Sequence, residues 1–141
     1  MPNRSENESV IRRLYEEFVN EGNEDAFYEI VAEDMKEHEE FPGLTPNREG
    51  VKEFFGLMRQ AFPDLQFTVE DMLVDGEKVA CRFRMKGTHR GEFMGAPPSN
   101  SRVEVQGIDI FRVANGQVKE HWGAMDSLNL MQQLGAIPSS D

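Results

Sequence analysis

The sequence predicts an α+β fold in which helices close one side of an antiparallel sheet. Three observations carry this expectation. Apolar residues recur at helical spacing as far as Phe62. From Leu65 the period changes to two and holds through Met125, broken by turn signals. A last helical stretch, with Leu128, Leu130, Met131 and Leu134, follows the strands. Helices and antiparallel strands in separate runs define the α+β class.

The spacing places a first helix behind a Ser5–Glu8 capping box, with Val10, Ile11, Leu14, Tyr15, Phe18 and Val19 on one stripe and Gly22 as its stop. Asn23 caps a short second helix that turns Ala26, Phe27, Ile30 and Val31 inward. Met35 to Phe41 is too polar for a central strand and reads as an edge strand or rim, ended by Pro42-Gly43. In it, His38 is either a pocket residue or a solvated rim histidine. Thr45-Pro46 opens a third helix through Val51, Phe54, Phe55, Leu57, Met58 and Phe62. Asp75-Gly76 turns a hairpin whose return strand, Lys78 to Thr88, points Val79, Cys81, Phe83 and Met85 to one face. Thr88 to Arg102 is a long loop in which Phe93 and Met94 either cover a pocket or merely connect. Val103–Val113 and Gln117–Met125 form the final hairpin. Asp126 or Ser127 caps the terminal helix, and Gly135 and Pro138 close it.

A chain of 141 residues is expected to be one domain, 1–141, with a core that needs no disulfide. Its net charge of −11 leaves no basic footprint for nucleic acid or an anionic membrane. The single cysteine, Cys81, reads as a buried, inert thiol. The first eight residues lack the apolar core of a secretory signal, and no run approaches a membrane span, so a cytoplasmic protein is expected.

The final hairpin carries the chemistry. Val103, Val105, Gly107, Asp109, Phe111 and Val113 share a strand face on which Asp109 is the one charge. A carboxylate in such a row is desolvated, as a general acid/base near neutral pH requires. A two-residue turn at Asn115-Gly116 would set Asp109 opposite Trp122, with Glu120 and Asp126 on its face. A three-residue turn at Ala114–Gly116 would set it opposite His121, with Phe111 opposite Lys119 and Gly107 opposite Gly123.

Ordered motifs span nearly the whole chain: Phe62-Pro-Asp-Leu, Gly87-Thr-His-Arg-Gly-Glu-Phe-Met-Gly, Pro97-Pro, Gly107-Ile-Asp-Ile-Phe-Arg-Val, Asn115-Gly-Gln-Val-Lys-Glu-His-Trp, Asp126-Ser-Leu and Gln132-Gln-Leu-Gly. The set resembles the SnoaL-like polyketide cyclase (predicted ester cyclase) family of the nuclear transport factor 2-like superfamily. The resemblance implies a cone-shaped α+β barrel: a strongly curved sheet, N-terminal helices closing a hydrophobic cavity, commonly a dimer, and neither metal nor organic cofactor. It also favours the three-residue turn, under which the family's cavity positions share one face. The acid/base aspartate of the characterised cyclases falls at Gly123, which cannot serve. Any such role moves to Asp109 with His121, the expected catalytic pair. Ligand contacts are expected from His38, Phe18, Phe111, His89, Met125 and Trp122, with Trp122 alternatively in packing or an interface and Asp126 as a cap.

Two functions compete on these residues. One is a cofactor-independent cyclase or isomerase acting on a small hydrophobic carbonyl or ester compound. The other is a non-catalytic binding or accessory domain using the same cavity. Epoxide hydrolysis ranks below both, because Arg112 lies on the face opposite Asp109. A homodimer is expected through an apolar outer sheet face of Ile108, Ile110, Val118, Trp122 and Ala124.

Overall fold

The computed structural model describes residues 2–138. Its elements are α1 (Arg4–Arg13), continued by a π-helical segment (Leu14–Asn20), α2 (Glu24–Ile30), β1 (Val31–Glu37), α3 (Arg48–Ala61), β2 (Gln66–Asp75), β3 (Lys78–Thr88), β4 (Arg102–Ala114), β5 (Gln117–Met125) and α4 (Ser127–Gln133). The α+β expectation holds: four α-helices accompany one curved, unclosed sheet of order β1-β5-β4-β3-β2.

The sheet is mixed, not purely antiparallel. β1 runs parallel to β5, pairing Val31 with Val118 and Glu37 with His121. The polar segment expected at Met35 is therefore the far half of an edge strand. That strand begins at Val31, which the helical pattern had assigned to the second helix. Its alternation sends Met35 and Glu37 inward and Lys36 and His38 outward, so an edge position accommodates a run too polar for the sheet centre.

Two helix starts differ from the sequence reading. Asn3, not Ser5, caps α1 by accepting the Glu6 N–H at 3.0 Å. Asn47, not Thr45, caps α3 by accepting from Gly50 at 3.1 Å. Thr45 instead folds back over Gly50, where a Cβ would overlap its carbonyl oxygen. Asn23 and Asp126 cap α2 and α4 as expected.

The π-helical segment is held at its end. Arg59 on α3 donates to the carbonyls of Phe18 (3.1 Å) and Val19 (3.3 Å), and the Phe18 carbonyl also accepts the Gly22 N–H at 2.8 Å. The Asn20 amide accepts the Phe67 N–H at 2.7 Å and donates to the Phe67 carbonyl at 3.0 Å. These bonds tie the segment to β2, and Leu14, Tyr15, Phe18 and Val19 are buried along it.

The β4–β5 register matches neither alternative drawn from the sequence. The turn has two residues, Asn115 and Gly116, both at positive φ (53° and 74°). Ala114 pairs with Gln117 and Val113 with Val118. A bulge then inserts Lys119, so Phe111 faces His121 and Asp109 faces Gly123. The extra residue returns His121 to the inner face, which an unbulged two-residue hairpin would have denied it. The two-residue turn, by pairing Val118 with Val113, places Val118 in the core and not on the expected outer face. A second bulge lies in β2 between Val69 and Asp71. Gly107 does not widen the interior, because the Phe83 ring lies where its Cβ would be.

Candidate active site

Four side chains from four segments form one hydrogen-bonded chain. The Tyr15 hydroxyl, on the π-helical segment, donates to Asp109 Oδ2 on β4. Asp109 Oδ1 accepts from His121 Nε2 on β5 at 2.7 Å. His121 Nδ1 donates to Glu37 on β1, 2.7 Å from Oε2 and 2.9 Å from Oε1. Glu37 and Asp109 are buried, 5% and 8% exposed. Both imidazole nitrogens meet carboxylate oxygens, so both must carry a proton, and the ring is an imidazolium between two anions. Burial disfavours that charge, but the hydrogen bonds and charges of Asp109 and Glu37 outweigh it and raise the His121 pKa to about 10. Burial and the Asp109 charge hold the Tyr15 hydroxyl well above its ordinary value. The chain is thus Tyr-OH, carboxylate, imidazolium, carboxylate.

This chain faces an apolar cavity of about 70 Å³. Tyr15, Asp109, Glu37 and His121 all line it, and Phe18, Phe67 and Phe83 are among its aromatic walls. Its partly exposed lining residues, Glu39, Phe41, Phe54 and Met125, mark the open side. Phe41 stacks on Phe54 there at 4.0 Å. Glu39 follows β1, and its N–H donates to Glu37 at 3.0 Å. Burial, with the charges of Asp109 and Glu37, raises the Glu39 pKa to about 7, although His121 pulls it back. One oxygen or nitrogen each from Glu39, Asp109 and His121 lies within 4.8 Å of the others. A cation held there by His121 Nε2 would have to part it from Asp109.

Of the residues expected at the site, Asp109, His121, Phe18, Phe111 and Met125 line the cavity. Three others lie elsewhere. His38 points outward, stacks on Trp122 at 4.7 Å and bonds Glu120 at 2.8 Å. Trp122 shares that outer face, with Lys78 over its ring at 5.2 Å. His89 is fully buried at the base of the long loop, where its Nδ1 accepts the Ser99 N–H at 3.2 Å. That loop does not cover the cavity: Phe93 packs on Phe62, and Met94 is exposed.

Tyr15, Glu37 and Glu39 were missed. Tyr15 sits within an apolar stripe, and nothing in the sequence separates it from packing. Glu37 and Glu39 were legible: with Met35 inward, period two turns both inward and His38 outward. Cys81, expected to be inert, pairs across the sheet with Asp109. Burial and that carboxylate push its thiol up to about 12.

Comparison with curated protein sequences gives no match. Among solved structures, TsrD from Streptomyces laurentii is 27% identical, with a TM-score of 0.87 over 97% of this chain and 100% of its own. IdmH from Streptomyces antibioticus, provisionally designated a polyketide cyclase, is 33% identical, with a TM-score of 0.81 over 92% of this chain and 98% of its own. AclR from Streptomyces galilaeus, provisionally designated a hydroxylase, is 24% identical, with a TM-score of 0.87 over 99% of this chain and 87% of its own; it speaks for the fold alone. The family model described as SnoaL-like polyketide cyclase matches residues 9–134, a span that takes in Tyr15, Glu37, Asp109 and His121 together, and the chain belongs to that family.

Proposed function

We propose that this protein is a cofactor-independent acid/base enzyme, of the cyclase or isomerase type, acting on a small hydrophobic carbonyl or ester compound. The observation that carries the reading is the Tyr15–Asp109–His121–Glu37 chain, set into an otherwise apolar cavity. Apolar walls exclude water, so the buried charges act on a bound substrate with little screening. Removing a proton α to a carbonyl moves negative charge onto the carbonyl oxygen. The His121 imidazolium, backed by Glu37, is the positive charge that offsets it. Asp109 and His121 are the acid/base pair of this reading, and Phe18, Phe111 and Met125 hold the hydrocarbon. Ring closure, isomerisation and lactone chemistry share this first step.

The test is incubation with a panel of small cyclic ketones, β-ketoesters and lactones, with products followed by mass spectrometry. Turnover that falls at least ~100-fold in Asp109→Asn and His121→Ala supports the reading. A member that binds tightly and is recovered unchanged, with turnover of none, supports a binding domain instead. The reading includes a homodimer through the outer sheet face, where Ile108 and Ile110 are 47% and 37% exposed beside Trp122 and Ala124.

A further inference from the structure

Three carboxyl groups face the cavity beside His121, and they are differently employed: Glu37 is taken up by the second imidazole nitrogen. Asp109 already accepts from the Tyr15 hydroxyl on one oxygen and the imidazolium on the other. Both oxygens of that carboxylate are therefore already engaged before a substrate arrives. Glu39 is free of such bonds: among the described residues its carboxyl has no hydrogen-bond partner, while its backbone N–H is fixed on Glu37. It is also partly exposed, at the cavity's open side.

Gly123 explains how Glu39 reaches this position. A Cβ there would overlap Glu39 Oε1, and would lie 2.7 Å from Asp109 Oδ1 and 2.8 Å from the His121 ring. Any side chain on β5 at this point would therefore displace the Glu39 carboxyl from its present position. Gly123 has an ordinary φ, so its backbone does not require glycine. The requirement is space for a carboxyl delivered from the segment after β1.

We propose that Glu39 is the residue that exchanges a proton with the substrate, and that Gly123 is the position that admits it. The proposal rests on the acid/base reading above and moves the proton-exchanging role within it from Asp109 to Glu39. The Glu39 carboxylate takes the α-proton, the C–H electron pair becomes the enolate C=C, and the carbonyl π pair moves to oxygen. The protonated Glu39 then returns a proton to carbon, after exchange with water or at a new position. Asp109 and His121 hold the charge throughout. The groups that face Glu39 are His121 from β5, Asp109 from β4 and Glu37 from β1. Burial, with the charges of Asp109 and Glu37 and against that of His121, brings its pKa to about 7, so both forms are present at neutral pH.

The experiment is hydrogen–deuterium exchange at the α-carbons of 2-tetralone in D2O, followed by proton NMR from pH 5 to 9. The wild-type rate should rise through an inflection near 7. Glu39→Gln should lose at least ~100-fold and the inflection with it, and Glu39→Asp should keep part of both. Gly123→Ala should lower the rate and return the Glu39 carbon-13 carboxyl titration to the ordinary glutamate range, which needs no substrate. Wild-type exchange by Glu39→Gln, with exchange abolished in Asp109→Asn, overturns the assignment and leaves the acid/base reading standing. Unchanged exchange in both variants, or none in the wild type, overturns both. If Gly123→Ala does not fold, an unshifted carboxyl titration in folded Glu39→Asp, measured against the wild type, contradicts the placement.

Discussion

A histidine between two buried carboxylates makes the energetics of this site depend on pH with a definite sign. The folded-state pKa of His121, about 10, lies above its ordinary 6.5. The imidazolium therefore contributes stability that is fully present below about 6.5 and is lost as pH rises through about 10. Glu39 acts in the same direction at lower pH: its folded pKa of about 7 exceeds the ordinary 4.5, so its contribution is lost between those values. The urea midpoint should fall steadily from pH 5 to pH 10, and His121→Gln should flatten the upper half of that slope. Removing the ring leaves Glu37 and Asp109 without their shared counter-ion, so His121→Ala should cost about 3–5 kcal/mol at pH 7. Nitrogen-15 NMR of the His121 ring should show two protonated nitrogens at pH 8. Cys81, buried with a pKa of about 12, should resist a thiol alkylating reagent at pH 8 until the protein is unfolded.

At the scale of elements, the site depends on how segments are tied to one another. The π-helical segment presents Tyr15 to Asp109 because Arg59 and Asn20 hold its end. Asn20→Ala leaves the Phe67 N–H and carbonyl without their partner and should destabilise the fold by about 1–3 kcal/mol, read by urea unfolding. The same ties show what the sequence could and could not disclose. Every helix and four of the five strands follow from periodicity and punctuation. Asp109 stands out because a charge in an apolar alternation is conspicuous. The Asp109–His121 contact was expected from the wrong register: the two-residue turn is standard Asn-Gly chemistry, but the Lys119 bulge has no local signature, and one extra residue exchanges the faces of a strand. The parallel pairing of β1 with β5 was invisible for another reason. It joins residues more than 80 positions apart, and β1 is polar enough to pass for a loop.

Across the whole molecule, an apolar cavity and a face on which apolar residues sit beside the Arg112–Glu120 ion pair lie on opposite sides of the hairpin β4–β5. Ile108, Ile110, Trp122 and Ala124 share the outer face, and a second copy is the proposed cover. Ile110→Lys should convert a dimer to a monomer in sedimentation velocity while leaving the circular dichroism spectrum unchanged. A wild type that sediments as a monomer at micromolar concentration would remove the dimer from the account. No described helix is long and apolar enough to cross a membrane. Family membership supplies the frame shared with relatives of differing designations, and the chemistry has to be sought in the residues. Here the position opposite Asp109 is a glycine, the charges come from β1, β4 and β5, and the π-helical segment adds the Tyr15 hydroxyl. The central claim is that these charges act on a carbon acid in the cavity. Its most direct test is the rate of α-deuteration of 2-tetralone at pH 7, in the wild type and in Asp109→Asn of matched fold. The account predicts exchange above the buffer rate in the wild type and a loss of at least ~100-fold in the variant; equal rates in the two proteins would contradict it.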